Sequence, residues 1–260
     1  MTTVAADTRL PQWLRFVAPV AVGVILVVAW IVWVDVLGTA PRMVPSPAAI
    51  GVELVERHEI ILKAMSITGT NALIGLAAGS IIAIIFAGLA ASSRAFDGML
   101  APLVAAIAVV PIVALTPILN TMFGASSQFG RQAVAAIAVF VPVFVNVLRG
   151  LRQTRPVHRD LLRASAATPG QTFRYLTLPT ALPYLMTGLR IASSIAVIAA
   201  LVAEYFGGPA DGIGTAIATY AKSGRAALAW AFVAGGIAIG LVFFLVTSLL
   251  ERIVTRRSSV

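Results

Sequence analysis

The sequence contains no cysteine and only two histidines. Without cysteine, the protein forms neither disulfide bonds nor thiolate metal sites, and thiol chemistry gives no information about its compartment. His58 and His158 both lie outside the apolar runs and are far apart along the chain. We therefore expect solvated histidines in connecting segments and no metal site.

Signals for nucleotide chemistry and for hydrolysis are missing too. Lys63 and Lys222 are the only lysines, and the stretch YAKSG around Lys222 lacks the preceding glycines of a phosphate-binding loop. No histidine falls within an apolar run, where it would be needed to activate a serine. We therefore expect that this chain is not an enzyme.

Charged residues are scarce, at 11% of 260 residues, whereas hydrophobic residues make up 59% and the mean hydropathy is +0.96. A chain this apolar cannot bury its surface in one soluble core, so we predict an integral membrane protein. The net charge of +9 is not accompanied by aromatic residues interleaved with basic ones. That pattern argues against a nucleic-acid partner.

Six apolar stretches approach the roughly 20 residues that a helix needs to cross the hydrocarbon core of a membrane. We predict an all-α polytopic membrane protein, a single domain over residues 1–260 with an N-terminal tail at 1–15. The predicted spans lie at about 16–37, 66–91, 99–120, 132–149, 181–204 and 228–250. The first run is too long for a signal peptide and contains Trp30 and Trp33, so we expect it to be retained.

The positions of the basic residues predict the orientation of the spans. If the N-terminus is cytoplasmic, basic residues concentrate in the inside segments, above all between the fourth and fifth spans. That connection carries Arg149, Arg152, Arg155, Arg159, Arg163 and Arg174. We therefore predict that both termini face the cytoplasm.

The same connection, residues 150–180, is longer than a reversal of the chain requires, and its local signals indicate helices. TPGQ at 168–171 has the form of a capping box with proline at the first helical position, so a helix is predicted to begin near Pro169. Pro179 is expected to end that helix. A second short helix is predicted at 157–166. Periodicity leaves two alternatives open, a docking surface for another protein or an amphipathic segment on anionic lipid.

Within this connection, Asp160, Leu161 and Leu162 are followed at defined intervals by Ala166, Leu176, Leu178 and Pro179. The intervals equal those of the EAA loop, which reads E-A-A, three residues, G, nine residues, I, one residue, L-P. The segment therefore resembles the EAA loop of permease subunits of binding-protein-dependent ABC importers. Ala166 replaces the glycine of the motif, so its turn must be made with a Cβ present.

Further stretches carry a wider resemblance over nearly the whole chain, from about Pro41 to Arg252. They are VPSP at 44–47, VVPIVALTPIL at 109–119, LPTALPYLMTGLRIA at 178–192, VAEYFGG at 202–208 and GIG at 212–214. They resemble the subgroup of these permeases that serves sulfonates, taurine, nitrate, bicarbonate and pyrimidine precursors. The resemblance implies the type I importer permease fold and a bacterial inner membrane, and it leaves the solute open.

The resemblance also implies partners. Two permease copies form the pore within membrane lipid, two cytoplasmic ABC ATPases bind ATP and Mg beneath them, and an extracytoplasmic binding protein delivers solute. No cofactor is implied for this chain itself. The EAA-like segment becomes a coupling helix, with apolar contact from Leu161 and Leu162. The positions assigned to ATPase docking are Asp160, Leu161, Leu162, Arg163, Ala166, Pro169, Leu176 and Pro179.

Prolines interrupt the third and fourth spans, where each removes a backbone donor and favours a kink or break. They are Pro102, Pro111, Pro117 and Pro142. In one interpretation, broken helices line a solute path that Thr116, Asn120 or Ser193 faces. In the other, the prolines are packing kinks in a bundle whose glycines allow close helix contact. Those glycines are Gly75, Gly79, Gly235, Gly236 and Gly240.

Two charges of the fifth span each have two interpretations. Arg190 either contacts an anionic solute or a neighbouring carbonyl, or it snorkels and joins helices. Glu204 either closes an external gate by pairing with Lys222 or Arg225, or caps the membrane interface.

The predicted landing surface for a binding protein lies outside the membrane. It consists of residues 48–63 and 207–224, and the second stretch contains a predicted short helix at about 213–221.

A self-contained channel or secondary transporter is the alternative function, and a structural membrane scaffold is a third. A secondary transporter normally has an ionisable residue at mid-membrane or inverted repeats. Arg190 is the only approximate candidate for the first feature, and no convincing repeat occurs. We therefore prefer the importer permease as the hypothesis.

Overall fold

The computed structural model describes residues 12–38, 43–124 and 127–258, with side chains from residue 17 to residue 256 within those ranges. Most of the predicted tail at 1–15 and the start of the resemblance near Pro41 lie outside the described residues. The regular secondary structure in the described ranges is entirely helical. The helices are α1 Gln12–Ile31, α2 Pro47–Glu56, α3 His58–Ser92, α4 Arg94–Val109, α5 Ile112–Phe123, α6 Phe129–Arg152, α7 Pro156–Ala164, α8 Pro169–Thr172, α9 Leu178–Tyr205, α10 Gly212–Lys222 and α11 Ala226–Ser258.

Five helical segments are long and apolar enough to cross a membrane, and the pair α4 and α5 would make a sixth span. The five segments are Val17–Val36, His58–Ser92, Phe129–Arg152, Pro169–Tyr205 and Ala226–Arg256. This arrangement confirms the prediction of an all-α polytopic membrane protein. Below, the outer end of the bundle is the end that carries α10, and the inner end is the end that carries α7.

The third span, predicted at 99–120 with prolines that favour a kink or break, is divided into two helices. α4 and α5 meet at an angle of 94°, with the break between Val109 and Ile112. Val110 and Pro111 are both extended there, with ψ angles of 124° and 106°. The helical conformation is disfavoured before a proline, and at Pro111 the preceding residue Val110 is extended.

The core is formed around α6, which makes its most extensive contacts with α9 and α3. Small residues bring these helices close together, as the fully buried Ala72, Ala135 and Ala196 illustrate. A Cβ atom on Gly75 would collide with the Ala135 side chain, and one on Gly79 would collide with the backbone of Ala136. Glycine is therefore required at Gly75 and Gly79, where α3 crosses α6, as the packing interpretation predicted. Gly240, which that interpretation also named, has open space at its Cβ position and makes no such close contact.

α11 packs against α9, whereas α1 lies at the edge of the bundle. None of the residues in the apolar window of Val17–Val36 is buried within the protein. The first span contacts α11 through Trp30, whose ring centroid lies 5.6 Å from that of Trp230. A helix so exposed needs lipid or another protein as its surroundings.

One arginine joins the inner ends of three helices through an ion pair and a hydrogen bond. Arg152, the last residue of α6, donates through Nη2 to Asp97 Oδ1 of α4 at 2.8 Å and to the Ala90 carbonyl of α3 at 3.1 Å. The chain leaves the bundle directly after this anchored arginine. The segment that follows therefore starts from a fixed point.

Candidate functional site

The α7–α8 segment, residues 156–179, projects from the inner end of the bundle. α7 begins with Pro156 at its first position and contains no buried residue. Its C-terminus is closed by two backbone hydrogen bonds, Ala166 N to Arg163 O and Ala167 N to Leu162 O, both at 2.9 Å. This is a Schellman motif, which fixes the direction in which the chain leaves the helix.

The Schellman motif requires a left-handed residue, and that residue is Ala166. Its φ angle of +52° is the only positive value at a non-glycine position among the described residues. The EAA motif has glycine at this position, so the turn is preserved although the side chain differs. Alanine carries a steric cost of roughly 1–2 kcal/mol in this conformation.

The exposed side of α7 combines apolar and charged groups. Val157 and Leu161 lie one turn apart and are 74% and 65% exposed, while Leu162 is half-buried. Asp160 and Arg163 form an exposed ion pair with 3.6 Å between oxygen and nitrogen, which contributes little to stability. These groups are therefore free to contact another molecule.

The second half of the segment begins with the predicted capping box. Gln171 N donates to Thr168 Oγ1 at 3.3 Å, and Thr168 N donates to Gln171 Oε1 at 2.8 Å. Pro169 is the first residue of α8, as predicted. The helix start is thus specified by local sequence.

Pro179 does not end this helix, which corrects the sequence-based prediction. The chain continues from Pro169 to Tyr205 as one helical segment of 37 residues. A wide π turn at Phe173–Thr177 precedes α9, and Pro179 sits in the first turn of α9. The wider turn accommodates a proline that a regular α-helix would exclude from its interior.

Arg190 joins two helices through an ion pair. Its Nη1 atom lies 3.1 Å from Oε2 of Glu251 on α11, and Thr187 Oγ1 donates to the other oxygen of Glu251 at 2.6 Å. Both groups are partly buried. The geometry agrees with the helix-joining interpretation of Arg190.

Glu204 is buried at the outer end of α9 and is not paired as the gate interpretation required. Its carboxylate accepts from Thr68 Oγ1 at 2.8 Å, from the Gly214 amide at 3.0 Å and from Asn71 Nδ2 at 3.5 Å. Lys222 and Arg225 are not among its partners. Because Thr68 lies on α3 and Gly214 on α10, Glu204 fastens the external connection onto the core.

Arg131 is buried, although it directly precedes the span predicted at 132–149 and so falls in an external connection of the predicted topology. Its side chain is fully buried, and its Nη1 atom donates to Asp211 Oδ1 at 2.6 Å and to Gln128 Oε1 at 3.0 Å. Its Nη2 atom donates to Thr215 Oγ1 at 3.1 Å and to the Pro209 carbonyl. The only sequence signal was a basic residue at the edge of an apolar run, and nothing local connects it with a partner 80 residues away.

We call these hydrogen-bonded side chains the outer polar network. Its members are Thr68, Asn71, Gln128, Arg131, Glu204 and Asp211. They come from α3, from α6 and its start, from α9 and from the N-terminal cap of α10. The network therefore fixes the outer ends of the core helices relative to one another.

The three candidates for a solute path are all buried within the protein and lie in different surroundings. Thr116 donates to the Ile112 carbonyl of its own helix. Ser193 donates to the Arg190 carbonyl at 2.8 Å and lies 3.0 Å from Thr247 Oγ1. Both amide atoms of Asn120 are buried without a hydrogen-bond partner among the described residues. A role of these residues in a solute path stays a prediction.

Comparisons with known proteins agree with this geometry. Residues 75–260 match the family model described as binding-protein-dependent transport system inner membrane component. The chain is 32% identical over 190 residues to the formylaminopyrimidine transport permease protein ThiX of Halalkalibacterium halodurans, covering 73% of this chain and 75% of that protein. It is 30% identical over 163 residues to the riboflavin transport system permease protein RibX of Chloroflexus aurantiacus, covering 63% and 60%.

The fold is also found among solved structures. A chain of the MetNI methionine ABC transporter in inward-facing conformations superposes with a TM-score of 0.65 at 17% identity, covering 76% of this chain and 98% of that one. At this identity the similarity concerns the fold alone. Taken with the family match, it establishes that the chain belongs to the binding-protein-dependent transport system inner membrane components, the permease subunits of ABC importers.

Proposed function

We propose that this permease subunit is driven by a separate cytoplasmic ATPase that binds the α7–α8 segment. The observation that carries the proposal is that α7 leaves the bundle with Val157 and Leu161 exposed and with no buried residue of its own. An exposed apolar edge flanked by Asp160 and Arg163 is suited to a protein partner with a complementary groove. The ATPase also supplies the ATP and Mg site that this sequence lacks.

Rigidity of the segment supports its role in coupling. The Schellman motif at Ala166 and the capping box at Thr168 fix both sides of the turn between α7 and α8. From Pro169 the chain is helical up to Tyr205, through the whole fifth span. A displacement of α7 by the ATPase is therefore passed to α9 instead of being absorbed in a loop.

The orientation and assembly follow from the same proposal. The end that carries α7 faces the cytoplasm, together with both termini, in a bacterial inner membrane. The outer end, with α2 and α10, receives an extracytoplasmic binding protein. A second copy of this permease completes the pore, and lipid surrounds exposed helices such as α1. The solute is a small polar molecule of the kind carried by the permease subgroup that this chain resembles.

Copurification tests the coupling surface. We expect Leu161→Asp to remove the ATPase from the purified membrane complex, because a charge replaces an apolar contact of about 1.5–3 kcal/mol. Val55→Asp is the matched control, since Val55 is an equally exposed apolar residue on the short helix α2 at the other end. The control should keep the ATPase, and both variants should insert into the membrane.

Two results would contradict the proposal. One is a Leu161→Asp complex that retains the ATPase in full and imports solute at the original rate. The other is solute uptake by proteoliposomes that contain this chain alone, which would favour a self-contained channel or secondary transporter.

A further inference from the structure

A polar cleft of about 240 Å³ opens between α3 and the start of α6 at the outer end of the bundle. It is lined by Ser66, Ile67, Thr70, Asn71, Gln128 and Gln132. Ser66 and Thr70 are exposed, whereas Asn71 is buried. The next exposed residues along α3, Leu73 and Ile74, are apolar. Hydrogen-bonding groups are thus concentrated in the cleft on this part of α3.

The three carboxamides of the cleft are held in a chain of hydrogen bonds. Gln132 Nε2 donates to Asn71 Oδ1 at 3.1 Å, and Asn71 Nδ2 donates to Gln128 Oε1 at 2.9 Å. Gln128 Nε2 then donates to Asp211 Oδ2 at 2.8 Å. Each amide is oriented by its neighbour, so the cleft presents a preorganised wall.

Several hydrogen-bonding positions of this wall remain unused. Among the hydrogen bonds of the described residues, Gln132 Oε1 accepts none, and each glutamine uses Nε2 for a single acceptor. The Ser66 and Thr70 hydroxyls donate to the carbonyls of Lys63 and Ser66, which leaves their oxygens able to accept. The cleft therefore offers donors and acceptors side by side.

No charged side chain of the described residues lines the cleft itself. Arg131 is bonded to Asp211, and the Glu204 carboxylate accepts from Thr68 and Gly214. Lys63 lines an adjoining cavity that Asp211 also lines. The residues that line the cleft offer an entering anion no cation to replace its lost water, whereas a neutral polar group would exchange water for matched hydrogen bonds.

We propose that this cleft is a contact site for the transported solute and that it selects an uncharged molecule with a neighbouring donor and acceptor, such as a primary amide or an aminopyrimidine. This inference rests on the proposed function, because it places the solute on its route through the permease. The volume accommodates one substituted ring. Gln132 Oε1 supplies an acceptor, and the glutamine amides supply the donors.

Cysteine labelling tests the site directly, since the natural chain contains no cysteine. The single variants Thr70→Cys and Ser66→Cys are prepared in the complex with its ATPase, and a membrane-impermeant methanethiosulfonate reagent is added from outside. Thr121→Cys is the matched control, because Thr121 is likewise an exposed hydroxyl residue whose side chain bonds only to its own helix, α5. The probes are 4-aminopyrimidine and ethanesulfonate at equal concentrations.

We expect the reagent to label both cleft cysteines, and 4-aminopyrimidine to slow that labelling. At twice its dissociation constant the probe leaves about a third of the sites free, so labelling should be about threefold slower. Ethanesulfonate should leave the rate unchanged, and neither probe should affect Thr121→Cys.

Three results would overturn the site. They are equal protection by ethanesulfonate, no protection by 4-aminopyrimidine, and failure of the reagent to label together with a disulfide between two Thr70→Cys copies. The last result would assign the cleft to an interface between permease copies.

ATP hydrolysis in the same preparation distinguishes a failure of this site from a failure of the proposed function. If the ATPase is present and active but the cleft is not protected, only the site is wrong, whereas a chain that binds no ATPase refutes the importer and this inference with it.

Discussion

The guanidinium of Arg131 lies 2.6 Å from the Asp211 carboxylate, and the arginine side chain is fully buried. The pair joins the first turn of α6 to the N-terminal cap of α10. It belongs to a network in which Glu204, the other buried charge of the outer end, is held by Thr68 and Gly214. The external connection is therefore part of the rigid core and not a loose loop.

Removing the arginine should destabilise the protein strongly. Arg131→Gln removes the cation that pairs with Asp211 Oδ1 and the donor to Thr215 Oγ1. Because the Asp211 side chain is 36% exposed, we expect part of the roughly 3–5 kcal/mol that breaking a fully buried pair costs. We expect a clear fall in the unfolding temperature in detergent. Arg131→Lys should restore little, because a lysine ammonium cannot serve Asp211, Pro209 and Thr215 in the same geometry.

Arg225→Gln serves as the control for this prediction. Arg225 lies over the ring of Tyr220 at 5.2 Å at the same end of the protein, and its side chain is exposed. We expect its loss to leave the unfolding temperature nearly unchanged. Equal stability of the Arg131→Gln and Arg225→Gln variants would show that the buried pair does not hold the outer end together.

Two glycines of the external connection should not tolerate alanine. At Gly214 a Cβ atom would approach Glu204 Cβ to 2.7 Å and collide with the Leu201 carbonyl, and at Gly212 the φ angle is +81°. We expect Gly214→Ala to lower the unfolding temperature and the yield of folded protein, and Gly212→Ala to do so as well. Gly240→Ala is the control.

Gly240 lies within α11 and has open space where a Cβ would be placed. Alanine there should be neutral or stabilising by up to about 1 kcal/mol, since it favours helix more than glycine does. Tolerance of alanine at Gly214 to the same degree would mean that α10 packs less closely on α9 than the structure shows.

The left-handed residue of the α7–α8 segment gives a prediction about coupling. Ala166→Gly should retain or strengthen ATPase binding, because glycine adopts the φ angle of +52° without a Cβ clash. Ala166→Val should weaken binding, since a β-branched residue is a poor left-handed residue. Titration of the purified ATPase against each variant measures the order of affinity. An affinity of Ala166→Val equal to that of the natural chain would show that the turn does not orient α7.

The ion pair between Arg190 and Glu251 should act as a unit. We expect Arg190→Leu or Glu251→Leu alone to lower the unfolding temperature, because each leaves a partly buried partner unpaired. The double variant should lose less stability than the two single variants lose together, with a coupling energy on the order of 1 kcal/mol. Strict additivity in this double-mutant cycle would indicate that the two side chains do not interact in solution.

Features that depend on neighbouring residues could be predicted from the sequence. Hydropathy located the spans, and the capping box at Thr168 located the start of α8 because both partners lie within one turn. The position of Ala166 as a strained turn followed from its place in the EAA-like spacing. The prolines of the third span predicted a kink or break, but the sequence did not indicate which of the three would cause it.

Features that depend on distant residues could not be predicted. Only the fold shows that Pro111 breaks the third span while Pro102 and Pro117 lie inside helices. The partners of Arg131 and Glu204 are distributed over α3, α6 and α10, and no local pattern distinguishes a buried external charge from a solvated one. The continuation of the helix past Pro179 likewise depends on a π turn that has no residue signature in this sequence.

That π turn at Phe173–Thr177 has a geometric consequence. A regular α-helix advances by about 100° per residue, so one extra residue in a turn rotates everything on one side of it relative to the other. The one extra residue in the π turn therefore sets the rotation of α8 about the axis of α9, and with it the direction in which α7 faces. Deleting one residue from Phe173–Thr177 would rotate α7 around the axis of α9 without changing any residue of α7 itself.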